Sequence, residues 1–136
     1  MKLLLDTNVF LEILLEQEQT AQARFLLSRS DDHEFFISDF SVHSIGLLLF
    51  RRKRHQAFQL FLKDVLLTTG TTLLSLGVAD MDSIVAAAQR FNLDFDDAYQ
   101  YVAAEKYNLT LVSLDGDFDR TERGRQTLAQ MVDGAA

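Results

Sequence analysis

The chain contains no cysteine, which excludes disulfides, thiolate nucleophiles and thiolate-held zinc. Its three histidines, at 33, 43 and 55, are too few and too scattered for a His-rich metal centre. No apolar run reaches the roughly 18 residues of a membrane span, and the first residues lack the apolar region of a signal peptide. These absences predict a cytoplasmic protein with no membrane segment. Proline is absent as well. Cations are in the minority: 13 Lys and Arg against 20 Asp and Glu leave a net charge of −7. That balance argues against broad, non-specific adhesion to nucleic acid, because phosphate binding is largely a matter of cationic surface.

What is present suits one folded domain. The 136 residues are 48% apolar and 24% charged, enough to build a single hydrophobic core. No repeat, low-complexity segment or Gly/Ser linker divides them, so residues 1–136 read as one domain. Four short apolar runs have the character of strands: KLLL at Lys2–Leu5, FFIS at Phe35–Ser38, TLLS at Thr72–Ser75 and LTLVS at Leu109–Ser113. Stretches of helical periodicity separate them, among them VFLEILLEQ, TAQARFLLSR, DFSVHSIGLLLFRR, QAFQLFLKDVLL, ADMDSIVAAAQRF and DFDDAYQYVAAEKY. The tail after Phe118 fits either a final helix or an edge strand.

Strands alternating with crossover-length helices predict an α/β fold with a mostly parallel sheet of four or five short strands, covered on both faces. The strands are continuously apolar instead of alternating, as strands buried on both sides should be. In such sheets the functional crevice lies beyond the carboxyl ends of the strands. Acids gather at that place in the sequence. Asp6 follows the first run, Ser38-Asp39 closes the second, and Asp115 lies two residues beyond Ser113. A further group, LDFDDA at Leu93–Ala98, opens the helix before the fourth strand.

Each acid also has a purely structural reading. Asp6 suits a helix N-cap, worth about 1 kcal/mol. Asp94 with Asp97 suits a cap and a favourable charge in the first helical turn. The DGD of Asp115–Asp117 suits an ordinary turn. Several acids converging on one pocket would behave differently. Two carboxylates about 4 Å apart repel by about 4 kcal/mol at an effective dielectric near 20, so such a cluster retains protons or binds a cation. An all-oxygen donor set favours a hard ion, Mg²⁺ or Mn²⁺, and such an ion suits hydrolysis of a phosphodiester.

The ordered motifs resemble the PIN-domain ribonucleases, especially the VapC-type toxins of toxin–antitoxin pairs, over nearly the whole chain. LLLDTNVFLE is similar to the family's first strand and first acid, and LDFDDAYQYVAAEKYNLTLVSLDGDF to its second half. SLDGDF matches a Thr/Ser-x-Asp-x-Asp-Phe pattern. The resemblance implies a three-layer α/β/α PIN-like fold and a metal-dependent endoribonuclease that leaves 5′-phosphate and 3′-hydroxyl ends. It implies Asp6, Asp97 and Asp115 as catalytic metal ligands for Mg²⁺ or Mn²⁺, supported by Thr7, Asn8, Ser113 and Asp117. It also implies an RNA substrate and an antitoxin partner. The Leu- and Phe-rich helices LLLF and QAFQLFLKDVLL carry more apolar surface than a small domain easily buries, which fits a homodimer interface or an antitoxin groove.

One departure matters. The family's second acid, about six residues after the serine of FFIS, is Ser44 here, with His43 beside it. Asp39 and Asp96 are the candidate substitutes, although Asp39 lies well off the face of Ser44 on a helix of 100° per residue. A chain that has lost this acid can instead be a catalytically impaired binding module for protein or RNA. The basic run Arg51, Arg52, Lys53 and Arg54 fits either a solvated loop or a contact for RNA phosphates. LVSLDGDFDRT also resembles the nucleophile loop of haloacid dehalogenase-like phosphatases, but too little chain follows for that fold. DGDFD lacks the spacing and terminal Glu of a calcium loop.

Overall fold

The computed structural model describes residues 1–133. Four strands form the central sheet: β1 (Lys2–Leu5), β2 (Glu34–Ser38), β3 (Thr72–Leu74) and β4 (Thr110–Val112). Their order is β3-β2-β1-β4 and every pairing is parallel, so the expected mostly parallel sheet is wholly parallel among the described residues. Leu4 stands opposite Phe36 on one side and Leu111 on the other, which fixes the register at the centre.

Side chains of a strand point to alternate faces, and β1 distributes its three leucines accordingly. Leu3 and Leu5 enter a core with Phe10, Ile13, Leu26, Phe35, Ile37, Ile45, Leu49 and Phe61. That layer is built from α1 (Thr7–Leu14), α2 (Thr20–Leu27), α3 (Asp39–Arg51), α4 (His55–Leu60) with its π-helical continuation Phe61–Leu67, and α7 (Leu128–Asp133). Leu4 enters the opposite core with Leu74, Ile84, Ala98, Val102, Leu111 and Phe118. There α5 (Met81–Phe91) and α6 (Phe95–Lys106) form the cover. The three β1 leucines are fully buried, which is why the strand carries no polar alternation.

Local chemistry sets the turns that shape the carboxyl edge. Ser38 ends β2 and caps α3, its hydroxyl accepting from the Ser41 N–H at 3.1 Å. Asn92 takes the left-handed conformation that ends α5, and Asp94 then caps α6 by accepting from the Asp97 N–H at 3.0 Å. Asn108 is likewise left-handed where α6 gives way to β4. The ambiguous tail has both characters. Gln126 makes a single parallel bridge to Val112, and α7 follows.

Candidate functional site

Asp6 is the residue at which the strands' carboxyl edge becomes polar. It follows β1, caps α1 and is only 7% exposed. Its Oδ1 accepts from the Thr7 N–H at 2.8 Å and from Gln100 Nε2 at 2.9 Å, and its Oδ2 accepts from the Ser113 hydroxyl at 2.7 Å. Burial raises its pKa above the ordinary carboxylate value, and the charge of Asp115 adds to the rise. The three donors act the other way by stabilising the charged form.

The turn beyond β4 is fixed to the same place. Ser113 is fully buried, and its Oγ accepts from the Asp115 N–H at 2.9 Å and from Asn8 Nδ2 at 3.3 Å. Asn8 in turn accepts from the Leu114 N–H at 3.2 Å. Asp115 Oδ1 accepts from the Asp117 N–H at 2.8 Å and so caps the short 3₁₀ turn Gly116–Arg120, which Phe118 anchors in the core. Asn8 and Ser113 thus connect Asp6 to the Asp115 loop, while Thr7 ties Asp6 to Ser41 on α3.

Asp97 comes from the first turn of α6 and meets this loop. Asp97, Asp115 and Asp117 each offer one carboxylate oxygen within 4.8 Å of the others. Asp6 lies outside that group, although its charge is felt by Asp97. Partial burial is the largest influence on Asp97, followed by the charges of Asp115, Asp94 and Asp6, and together they push its pKa up to about 7. Repulsion is what unpaired carboxylates at this spacing must show. The pocket is therefore chemically suited to a hard divalent cation with oxygen ligands. Arg120 Nη1 reaches Asp117 Oδ1 at 3.0 Å and already offsets part of the negative charge.

The candidate substitutes for the second acid are placed differently. Asp39 Oδ1 accepts from the Tyr99 hydroxyl at 2.6 Å and from the Phe40 N–H at 2.8 Å. Asp96 is exposed on the first turn of α6 and lies outside the three-acid group. Ser44 is half-buried, His43 is exposed, and neither belongs to that group. Arg51, Arg52, Lys53 and Arg54 are exposed at the far end of α3. That helix leaves the carboxyl edge and has 13 residues, so the basic run stands about 20 Å from its start.

Two residues of the site escaped the sequence reading. Gln100 donates to Asp6 and, at 2.8 Å, to Ser41 Oγ, which is also 2.8 Å from Thr7 Oγ1 and 3.3 Å from Ser38 Oγ. Gln100 and Ser41 are both buried. A signal for the first existed, since Gln100 follows Asp97 by three residues and so shares its helix face.

The PIN domain family model matches residues 3–124. No curated protein sequence matches the chain. Solved structures do. A toxin–antitoxin complex from Klebsiella pneumoniae superposes with TM-score 0.72 at 20% identity, covering 92% of this chain and 96% of that one. VapBC2 from Rickettsia felis, bound to a DNA fragment from its promoter, gives 0.74 at 12% identity, covering 93% and 98%. Mycobacterium tuberculosis VapC20, described as a toxin cleaving the sarcin–ricin loop, gives 0.70 at 19% identity, covering 86% and 92%.

Proposed function

The chain belongs to the PIN-domain family, and from that premise we propose that it is a metal-dependent endoribonuclease and the toxin of a toxin–antitoxin pair. The observation that carries the proposal is the meeting of Asp97, Asp115 and Asp117 within 4.8 Å, beside the buried Asp6. Asp97, Asp115 and Asp117 would hold Mg²⁺ or Mn²⁺, with Asp6 completing the set from the buried side. Such an ion neutralises a phosphoryl oxygen and makes water acidic enough to attack at neutral pH.

The chain's own residues prepare the pocket for that work. Thr7, Gln100 and Ser113 hold Asp6 in one orientation. Asp97 is poised near pH 7, so it can carry a proton and give it up when a cation is bound. RNA is the substrate in this reading, with Arg51, Arg52, Lys53 and Arg54 meeting backbone phosphates remote from the scissile bond. Exposed Phe25, Leu47, Phe50, Leu60 and Leu67 offer apolar surface for an antitoxin and for a second copy in a homodimer. Such a pair would work in the cytoplasm.

The structural neighbours supply a parallel. One is described as a toxin–antitoxin complex and another as a toxin that cleaves the sarcin–ricin loop. Incubation with single-stranded RNA and Mn²⁺ or Mg²⁺ tests the proposal. Cleavage that needs the cation and is lost in Asp6→Asn supports it. A second reading, a binding module without catalysis, is favoured by Ser44 standing where an acid is expected. Cation-independent RNA binding without any cleavage would favour that reading.

A further inference from the structure

We propose that Gln100 is a positioning residue that fixes Asp6 as a one-oxygen metal ligand, a role resting on the metal-dependent reading above. The geometry is specific. Each carboxylate oxygen has two acceptor positions. Both positions of Asp6 Oδ1 are filled, by the Thr7 N–H at 2.8 Å and by Gln100 Nε2 at 2.9 Å. Among the described residues Oδ2 accepts from the Ser113 hydroxyl alone and keeps one position free. Ser113 also receives the Asp115 N–H, so one hydroxyl ties Asp6 Oδ2 to the start of the acidic turn.

Gln100 is itself held. The same Nε2 reaches Ser41 Oγ at 2.8 Å, and Ser41 is braced by Thr7 and Ser38. The amide is 1% exposed, so no solvent competes for it. Its Oε1 is buried and has no partner among the described residues. Burying an acceptor without a partner is unfavourable, which argues that the amide is kept there for what its Nε2 does. Ser41 and Gln100 join α3 to α6 one turn before Ser44, on the helix where the family's second acid is missing. A neutral amide thereby supplies order that a fourth carboxylate does not.

The test is Mn²⁺ binding by the full chain, followed through the paramagnetic resonance signals of free and bound ion. Gln100→Leu keeps the volume and removes the donor. Removing a residue that orients a ligand typically weakens metal binding about 10–100-fold, and that loss is expected here. The bound-ion spectrum should also change shape, because Asp6 becomes free to turn. A purely structural role would lower the melting temperature but leave affinity and spectrum of the folded protein as in the wild type, and that result overturns the proposal. If Gln100→Leu does not fold, Ser41→Ala decides. A several-fold weaker affinity supports the brace, and wild-type affinity overturns it. A wild-type chain that binds no Mn²⁺ overturns both this inference and the metal-dependent reading. Tight wild-type binding with an indifferent Gln100→Leu removes this inference alone.

Discussion

The Tyr99 hydroxyl stands 2.6 Å from Asp39 Oδ1 and 3.0 Å from the Leu76 amide nitrogen, donating to the first and accepting from the second. Burial and the bond to Asp39 push its pKa up to about 12, so it remains a donor throughout the physiological range. Asp39 is thus held by α6 as a bridge between α3 and the segment after β3.

Tyr99→Phe follows directly. It leaves the buried Leu76 N–H and the Asp39 carboxylate each short of a partner, at a cost of about 1–3 kcal/mol in a urea melt. RNA cleavage and the response to Mn²⁺ should be unchanged in the folded variant. A large loss of cleavage would return Asp39 to the list of metal ligands.

Asp97→Asn tests the electrostatics of the pocket. Folded Asp97 keeps its proton to about pH 7, whereas the ordinary value is 3.8. Between these limits the folded chain holds more protons than the unfolded one, so this group's contribution is present below pH 4 and is lost as pH rises through 7. Asparagine cannot ionise. Metal-free melts in EDTA from pH 4 to 8 should therefore show the variant gaining on the wild type as pH rises.

How much of this was legible beforehand differs by element. The inner strand β1 could be read because Leu3, Leu4 and Leu5 must be apolar on both sides of a covered sheet, whereas the edge strand β3 leaves Leu73 exposed and was legible only as a short apolar run. The convergence of Asp97 and Asp115 was implied by the resemblance of their motifs to the family and not by topology alone, since how high α6 starts against the sheet depends on its packing. The part of Asp117 was harder to read, because a turn residue's reach depends on how Phe118 seats the 3₁₀ turn. Gln100 and Ser41 were missed for a different reason. Neither is charged, and although Gln100 shares the helix face of Asp97, what it binds shows only when its partners, 94 and 59 residues away, are placed beside it. The helical stretch ending near Leu67 was legible, but its change to π geometry from Phe61 was not.

Arg120→Ala should tighten Mn²⁺ binding. The guanidinium pairs with Asp117 Oδ1 at 3.0 Å and competes with an ion for that oxygen. Exposed pairs of this kind are worth about 0.2–1 kcal/mol, so an improvement of up to about fivefold is expected by calorimetric titration. Stability should fall a little, since Arg120 also donates to the carbonyls of Phe91 and Asn92.

Phe118→Ala removes a fully buried ring beneath the acidic turn. The cavity should cost about 3–5 kcal/mol in a urea melt. Mn²⁺ affinity should fall in the protein that remains folded, because Asp117 sits directly before the lost anchor.

The central claim is that Asp97 and Asp115 share a bound cation, and a thermal melt with and without millimolar Mn²⁺ tests it most directly. A ligand that binds only the folded state raises the melting temperature by mass action. The account predicts a clear rise for the wild type at pH 7.5 and none for Asp97→Asn or Asp115→Asn. A wild-type curve that ignores Mn²⁺, or an equal rise in both variants, would contradict it.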